Sequence, residues 1–460
     1  MTHTDAQRLT GTRGSSGDPR LTPRQWVAFL LIALVLLADG MDVTIVSHIF
    51  PSLIEQWGVS IGGGIAALVS AGFIAMGVGA LVAGRAADRW GRKPVLVTTT
   101  LLFGAGTALG ASSTDFASFS AWRLLACLGM GAAMATGNTL LADLMPPRRR
   151  SAMLATAYAF VGLGTTVGAT LAAVIIPTAG WEGLLIAGGA IPLVIAVVLA
   201  LVVPEAPPFL VARGDLERAA RAAARLDPRS VGALLEGAAQ PRGTADHGAW
   251  RQLFSRRFAP RTILLWAFGF FSLGTQLMVV QYLPTMLQLP EPGLDTVQSS
   301  TIVGAYGFTS VLGGLLLGVV LVRASRFATI GIALALTAMA VLVIGLAPSP
   351  GYGALLALLS VTGFLLPSAC GPTRSVLAAA AYPTDVRGTG VGSTEFSGRL
   401  GSAAGGAAGG ALIGAGLGLS GFFSALLVPV FILLALLAGL RAVSRHSDSA
   451  VEPQPAGAAA

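Results

Sequence analysis

Twelve apolar stretches divide this chain, and they limit what it can fold into more sharply than any motif does. They lie at about 26–49, 62–84, 94–113, 118–141, 152–177, 183–203, 262–286, 298–322, 328–347, 353–379, 388–415 and 420–441. An α-helix rises about 1.5 Å per residue, so about 20 apolar residues cross a hydrocarbon core roughly 30 Å thick. Lipid offers no hydrogen-bond partners, so each stretch must satisfy its own backbone as a helix. The 460 residues are 54% hydrophobic and 11% charged, with 60 glycines. That balance is foreign to soluble domains and suits close-packed membrane helices. The expected fold is an all-α integral membrane protein with twelve transmembrane helices, numbered spans 1 to 12.

Positive charge tests the count independently. Of the 29 Lys and Arg, 26 fall in the two tails and in the loops after even-numbered spans, while Arg123, Arg374 and Arg399 lie within spans. None falls in a loop after an odd-numbered span, and a miscounted helix would break that alternation. The positive-inside rule then puts both termini in the cytoplasm, as for a multi-pass protein of the cell membrane. Residues 1–25 and 442–460 read as disordered cytoplasmic tails, and 26–203 and 262–441 as two six-helix bundles. Residues 204–261 read as a cytoplasmic linker, in which "GDLERAARAAARLDP" has the composition of a short amphipathic helix at the membrane surface. The first apolar run is too long for a cleaved signal peptide.

The same inventory removes several function classes. Cys127 and Cys370 both sit in apolar runs, so neither a disulfide framework nor a cysteine metal site is expected. Of the histidines, His3 and His446 lie in the tails, His247 in the linker and His48 alone in a span. No metal site or histidine-dependent catalytic constellation assembles from them, so an enzyme is not expected. No phosphate-binding loop is present, which argues against direct ATP drive. The net charge of +8 follows from the positive-inside bias and calls for no nucleic-acid partner. No cofactor is implied, and the chain is expected to act as a monomer in the bilayer.

The two halves repeat each other. In "MPPRRRSAMLATAYAFVGLGTTVGATLAA", Pro146, Arg150, Gly164 and Gly168 stand at intervals that Pro383, Arg387, Gly401 and Gly405 reproduce in "YPTDVRGTGVGSTEFSGRLGSAAGG". Equivalent halves are expected of a transporter that moves one bundle against the other around a central site.

The loop after span 2, "GRAADRWGRKP", resembles the signature of the major facilitator superfamily, with Gly84, Asp88, Arg89, Gly91, Arg92 and Lys93 filling it. The resemblance implies a charge latch on the cytoplasmic side that breaks as the inner gate opens, with Gly84 allowing close helix contact. The equivalent loop "GVVLVRASRF" keeps Gly318, Arg323 and Arg326 but lacks the acid. Four further segments, "DGMD" at 39–42, "RLLACLGMGAA", "VPEAPPFLVARGDLERA" and "YPTDVRGTGVGSTEFSGRLG", resemble the aromatic acid:proton symporters, a branch related to the sugar porters. Asp143 departs from the Glu that many relatives carry near the end of span 4.

Asp39 and Asp42 are the most expensive residues in span 1. An Asp at a helix centre costs about 2.5–3.5 kcal/mol on insertion scales, and each Leu, Ile, Phe or Val returns only about 0.3–0.6. The two acids must therefore face protein or water. Three residues apart, they share a helical face, and Gly40 between them leaves room for a neighbour. They either hold helices together or include a proton carrier. Arg123 of span 4 matches Asp39 in depth to within about a turn. In the related sugar–proton symporters such an Asp–Arg pair couples protonation to transport, which implies that a protonated acid frees Arg123 for an organic anion. The alternative is an Arg123 that snorkels to the headgroups.

Other candidates are less determined. Glu395 and Arg399 in span 11 are four apart, suited either to an intrahelical ion pair or to substrate. Gln276, Gln281 and Tyr282 in span 7 could sort substrates by hydrogen bonding or could make helix contacts. His48 reads as an interfacial residue, and Arg374 as snorkelling from the end of span 10. The expected function is proton-coupled symport of a small organic anion, an aromatic carboxylate above all, with Asp39, Asp42 and Arg123 carrying the coupling. The alternative is a proton-antiport exporter of drugs or metabolites. Against it, span 5, "VGLGTTVGATLAAVIIP", lacks the Gly-Pro expected of such antiporters.

Overall fold

The computed structural model describes residues 21–449 apart from 147, 230, 232–248, 257, 348–349 and 384–385. The tail segments before 21 and after 449, and much of the linker, lie outside the described residues. Among the described residues every regular element is helical. Ten helices are long and apolar enough to cross a membrane. One of them, Arg150–Val202, is broken at Gly180, whose φ of 68° and ψ of −174° no helix accommodates, and it supplies spans 5 and 6. Arg387–Gly414, enriched in glycine and serine, adds span 11. The total is twelve.

The remaining spans are Pro23–Trp57, Ala66–Trp90, Arg92–Leu109, Phe116–Leu144, Ala259–Leu287, Thr296–Arg323, Arg326–Leu346, Tyr352–Ala381 and Leu419–Ser449. A π-helical turn, Ile61–Ile65, leads into span 2. Span 12 runs past the boundary expected at 441, because the polar residues after it continue the same helix. Several starts are written in the sequence: Thr22, Asp115 and Asp295 each cap a free backbone N–H three residues on, in reciprocal capping boxes with Gln25, Ser118 and Gln298. Leu21 and Ser449 mark the tail face, and the opposite side is the far face.

The repeated glycines do equivalent work in the two halves. Span 5 lies on span 1 so closely that a Cβ on Gly164 or Gly168 would overlap the carbonyls of Leu37 and Met41. In the second half Gly401 and Gly405 bring span 11 against the carbonyls of Phe270 and Gly274 in span 7. Without a hydrophobic drive between helices in lipid, such backbone approach is the main source of packing. Gly40 belongs to the same seam: a Cβ there would strike the Val161 carbonyl, so the glycine between the two aspartates is what admits span 5.

Between the halves, contact runs from the far face to mid-depth. Gly62 meets Gly414, Gly410 meets Ala66, and Ser70 Oγ donates to the Ala403 carbonyl at 2.8 Å. Deeper, Thr166 Oγ1 donates to the Gly304 carbonyl at 3.1 Å, and Gly162 faces Ser310. Nearer the tail face, Tyr158 of span 5 is 40% exposed although Glu395, Arg374 and Arg399 of the other half lie within its electrostatic reach. The two bundles therefore do not close over Tyr158, leaving a gap between them on this side.

Candidate functional site

The "DGMD" face of span 1 is split in its chemistry. Asp42 is fully buried; its Oδ1 accepts from the Thr107 hydroxyl of span 3 at 2.7 Å, and its Oδ2 pairs with Arg123 Nη1. Arg123 is only 9% exposed, so it does not snorkel. With Met76, Cys127 and Gln281 it borders a cavity of about 20 Å³, room for about one water. Asp39, one turn toward the tail face, is buried too, but its Oδ1 has no hydrogen-bond partner.

Span 11 differs from the intrahelical pair its spacing allowed. Glu395 is bound by Arg374 of span 10, whose Nε lies 3.1 and 3.0 Å from the two carboxylate oxygens, and by the Ser375 hydroxyl at 2.6 Å. Arg374 is 8% exposed and also donates to the Cys370 and Gly371 carbonyls, so it too does not snorkel. Arg399 is left without a carboxylate partner among the described residues. Its guanidinium reaches across to the other bundle, with Nη2 2.7 Å from Met134 Sδ and Nη1 4.0 Å from Met76 Sδ. Thioether sulfur is a weak acceptor, so most of its donor capacity is unused.

Among the described residues in the interior of the twelve apolar stretches stand three carboxylates and three guanidiniums. Asp42 takes Arg123, Glu395 takes Arg374, and Asp39 and Arg399 are left over, one on each bundle. Arg399 lies within electrostatic reach of Asp39 across the bundle interface. Tyr158, whose hydroxyl accepts from Asn138 Nδ2 at 3.0 Å, stands beside this gap and was missed by sequence reasoning.

Span 7 departs from expectation at one position. Tyr282 is fully buried and makes no approach to the gap: its hydroxyl donates to the Gly406 carbonyl at 2.8 Å and its ring packs against Phe50. Gly409 and Gly410 of span 11 leave the room that the Tyr282 ring and hydroxyl fill. Gln281 lines the cavity beside Arg123, and Gln276 Oε1 is buried without a partner near Gly371. His48 is 2% exposed, its Nδ1 2.8 Å from the Thr44 carbonyl, and so is a buried residue rather than an interfacial one.

The signature loop is organised by acids outside it. Arg92 pairs with Asp143, and Glu205 Oε1 accepts the Arg92 and Lys93 amides at 3.0 and 3.1 Å, capping span 3. Gly91, at φ 108°, makes this turn and leaves room for that carboxylate. Arg89 and Asp88 are exposed, and Asp88 has no ion-pair partner among the described residues. Gly84 faces open space, so it makes no close helix contact in this conformation.

Two six-helix bundles related by an internal repeat, with paired charges at mid-depth and a gap at one face, define a membrane transporter rather than an enzyme. The sequence profile of the Major Facilitator Superfamily matches residues 32–406, and the chain belongs to that family. It is 34% identical over 432 residues to the gallate transporter of Pseudomonas putida, covering 93% of this chain and 95% of that one. It is 33% identical over 384 residues to the 4-hydroxybenzoate transporter PcaK of Pseudomonas aeruginosa, covering 83% and 85%. The inward open conformation of the xylose transporter XylE from E. coli shares the fold, with a TM-score of 0.70 at 16% identity over 91% of this chain and 99% of that one.

Proposed function

We propose that this chain imports a small organic anion, an aromatic carboxylate, together with protons across the cytoplasmic membrane. The observation that carries the reading is the unmatched pair among the described residues: Asp39, whose Oδ1 has no hydrogen-bond partner, and Arg399, which has no carboxylate partner. A carboxylate at Arg399 and a proton on Asp39 neutralise both groups together, so loading one favours loading the other and the loaded carrier moves without two uncompensated charges. Asp42 holds Arg123 neutralised, and a proton passed on to Asp42 frees that guanidinium toward the cavity it shares with Gln281. Gln276, Gln281 and the aromatic Tyr158 supply the neutral contacts that sort substrates by shape. Glu395 keeps Arg374 in place and leaves Arg399 free for the anion.

The tail face is cytoplasmic by its excess of arginine. The bundles, residues 26–203 and 262–441, rock about the central site, and the loop Gly84, Asp88, Arg89, Gly91, Arg92 and Lys93 acts as a latch on the tail face. The site is complete within one chain, which acts as a monomer. Aromatic acids are favoured as cargo because the gallate and 4-hydroxybenzoate transporters align along nearly their whole lengths.

The test is uptake of labelled gallate and 4-hydroxybenzoate into proteoliposomes with an alkaline interior. Protein-free vesicles set the baseline, since weak acids accumulate passively in an alkaline lumen. Saturable uptake above that baseline, rising as the outside is acidified and abolished by a protonophore, is expected. Uptake indifferent to the proton gradient would reject symport, and proton-driven efflux of other compounds would favour the exporter.

A further inference from the structure

On the tail face, away from the transport path, a groove of about 600 Å³ lies between the signature loop and the helix Leu216–Leu226. That volume is in the range of ligand pockets. Trp90 and Lys93 form one wall, and Arg218, Arg221 and Arg225 line the other, with Arg213 between them. Both acids that border the groove are engaged: Glu205 accepts the Arg92 and Lys93 amides, and Asp215 accepts the Arg218 amide and pairs with its Nε at 3.4 Å. Arg221 also pairs with Glu217 of its own helix at 3.2 Å, so the five basic side chains still outnumber the three acids that engage them and leave a net positive site for an anion. Two ties fix its geometry: Arg213 Nη2 donates to the Arg89 carbonyl, and Thr22 Oγ1 donates to the Leu226 carbonyl at 2.6 Å. The linker helix is thereby held to spans 1 and 2 rather than free.

The groove adjoins the lipid-facing belt. Trp90 is 64% exposed, and Leu201 and Val202, which end span 6 just before the Pro204 that lines the groove, are 81% and 52% exposed. A tryptophan at the edge of an apolar belt marks headgroup depth, and basic pockets beside membrane helices at that depth suit anionic headgroups. We infer that this groove binds the phosphate of an anionic lipid headgroup, with the acyl chains lying along Leu201 and Val202. Such a lipid would clamp the linker helix to the signature loop.

The test measures binding of phosphatidylglycerol and phosphatidylcholine to the full-length detergent-solubilised protein by native mass spectrometry. The parent is compared with the double variant R221Q/R225Q and with R323Q/R326Q, which removes the same charge from the loop after span 8. Phosphatidylglycerol is expected to bind the parent and R323Q/R326Q alike, about thirtyfold more weakly to R221Q/R225Q, and in preference to phosphatidylcholine. Equal loss in both variants, or no preference between the two lipids, would overturn the inference. Inorganic phosphate displacing phosphatidylglycerol at comparable concentration would assign the groove to a soluble anion and overturn the lipid source.

Discussion

Arg123 pairs with Asp42 and not with Asp39, although the two acids share one face of span 1. The Thr107 hydroxyl holds the other oxygen of Asp42, so that carboxylate is fixed from two neighbouring helices. Asp39 has no such anchor. Asp42 is therefore held in place by spans 3 and 4, whereas the Oδ1 of Asp39 is held by no hydrogen bond.

Removing the charge of Asp42 strands a buried guanidinium. Breaking such a pair from one side costs about 3–5 kcal/mol, so Asp42→Asn should lower the melting temperature of the detergent-solubilised protein markedly. Adding Arg123→Gln should recover part of the loss, because the stranded charge is then gone. A single Asp42→Asn variant that melts like the parent would show that the pair carries no structural weight.

Arg399 should behave in the opposite way. Its contacts are two thioethers, so Arg399→Gln is expected to leave the melting temperature unchanged. Hydrogen bonds to a charged group contribute about 1.5–3 kcal/mol, which predicts a loss of substrate affinity of about 10- to 100-fold. Arg399→Lys should fall between, keeping the charge but losing the planar fork. Equilibrium binding of labelled 4-hydroxybenzoate checks this; unchanged affinity with a lowered melting temperature would make Arg399 a packing residue.

Two glycines of the sequence motifs should differ in tolerance. Gly40→Val drives side-chain atoms into the Val161 backbone, a clash that costs at least the 1–3 kcal/mol or so typical of overpacking, and should yield little folded protein. Gly84→Ala meets nothing in this conformation and should fold normally. If Gly84 packs closely only in the latched state, Gly84→Ala will slow transport without changing stability. Expression, melting and initial uptake rates separate the two cases.

Much of the fold was legible because membrane insertion is a local constraint. Apolar length and arginine placement each specify a span without reference to its neighbours, and the break at Gly180 falls in the gap left between residues 177 and 183. The repeated glycines were legible as a pattern, and their meaning as contacts followed the symmetry. Pairing of charges was less accessible, because depth arguments resolve about one helical turn and Asp39 and Asp42 differ by less than that. The spacing of Glu395 and Arg399 allowed an intrahelical pair or a substrate role, whereas Glu395 in fact pairs with Arg374 on the adjacent span. A count of interior charges, three acids to three bases, was a signal that could have exposed the leftover pair. For Tyr282 both substrate contact and helix packing stood open, because nothing local distinguishes a substrate contact from a ring that packs against glycines. The contacts of the signature loop with Asp143 and Glu205 were not legible, since both acids lie far from the signature along the chain.

The most direct measurement compares Asp39→Asn with the parent in two assays on the same proteoliposomes: exchange of labelled 4-hydroxybenzoate at equal pH, and accumulation driven by an alkaline interior. An amide at residue 39 stays neutral, so it mimics the protonated carboxyl and cannot release a proton. Exchange should persist while gradient-driven accumulation above the protein-free baseline is lost. Accumulation by Asp39→Asn equal to that of the parent would contradict the assignment of Asp39 as the proton carrier.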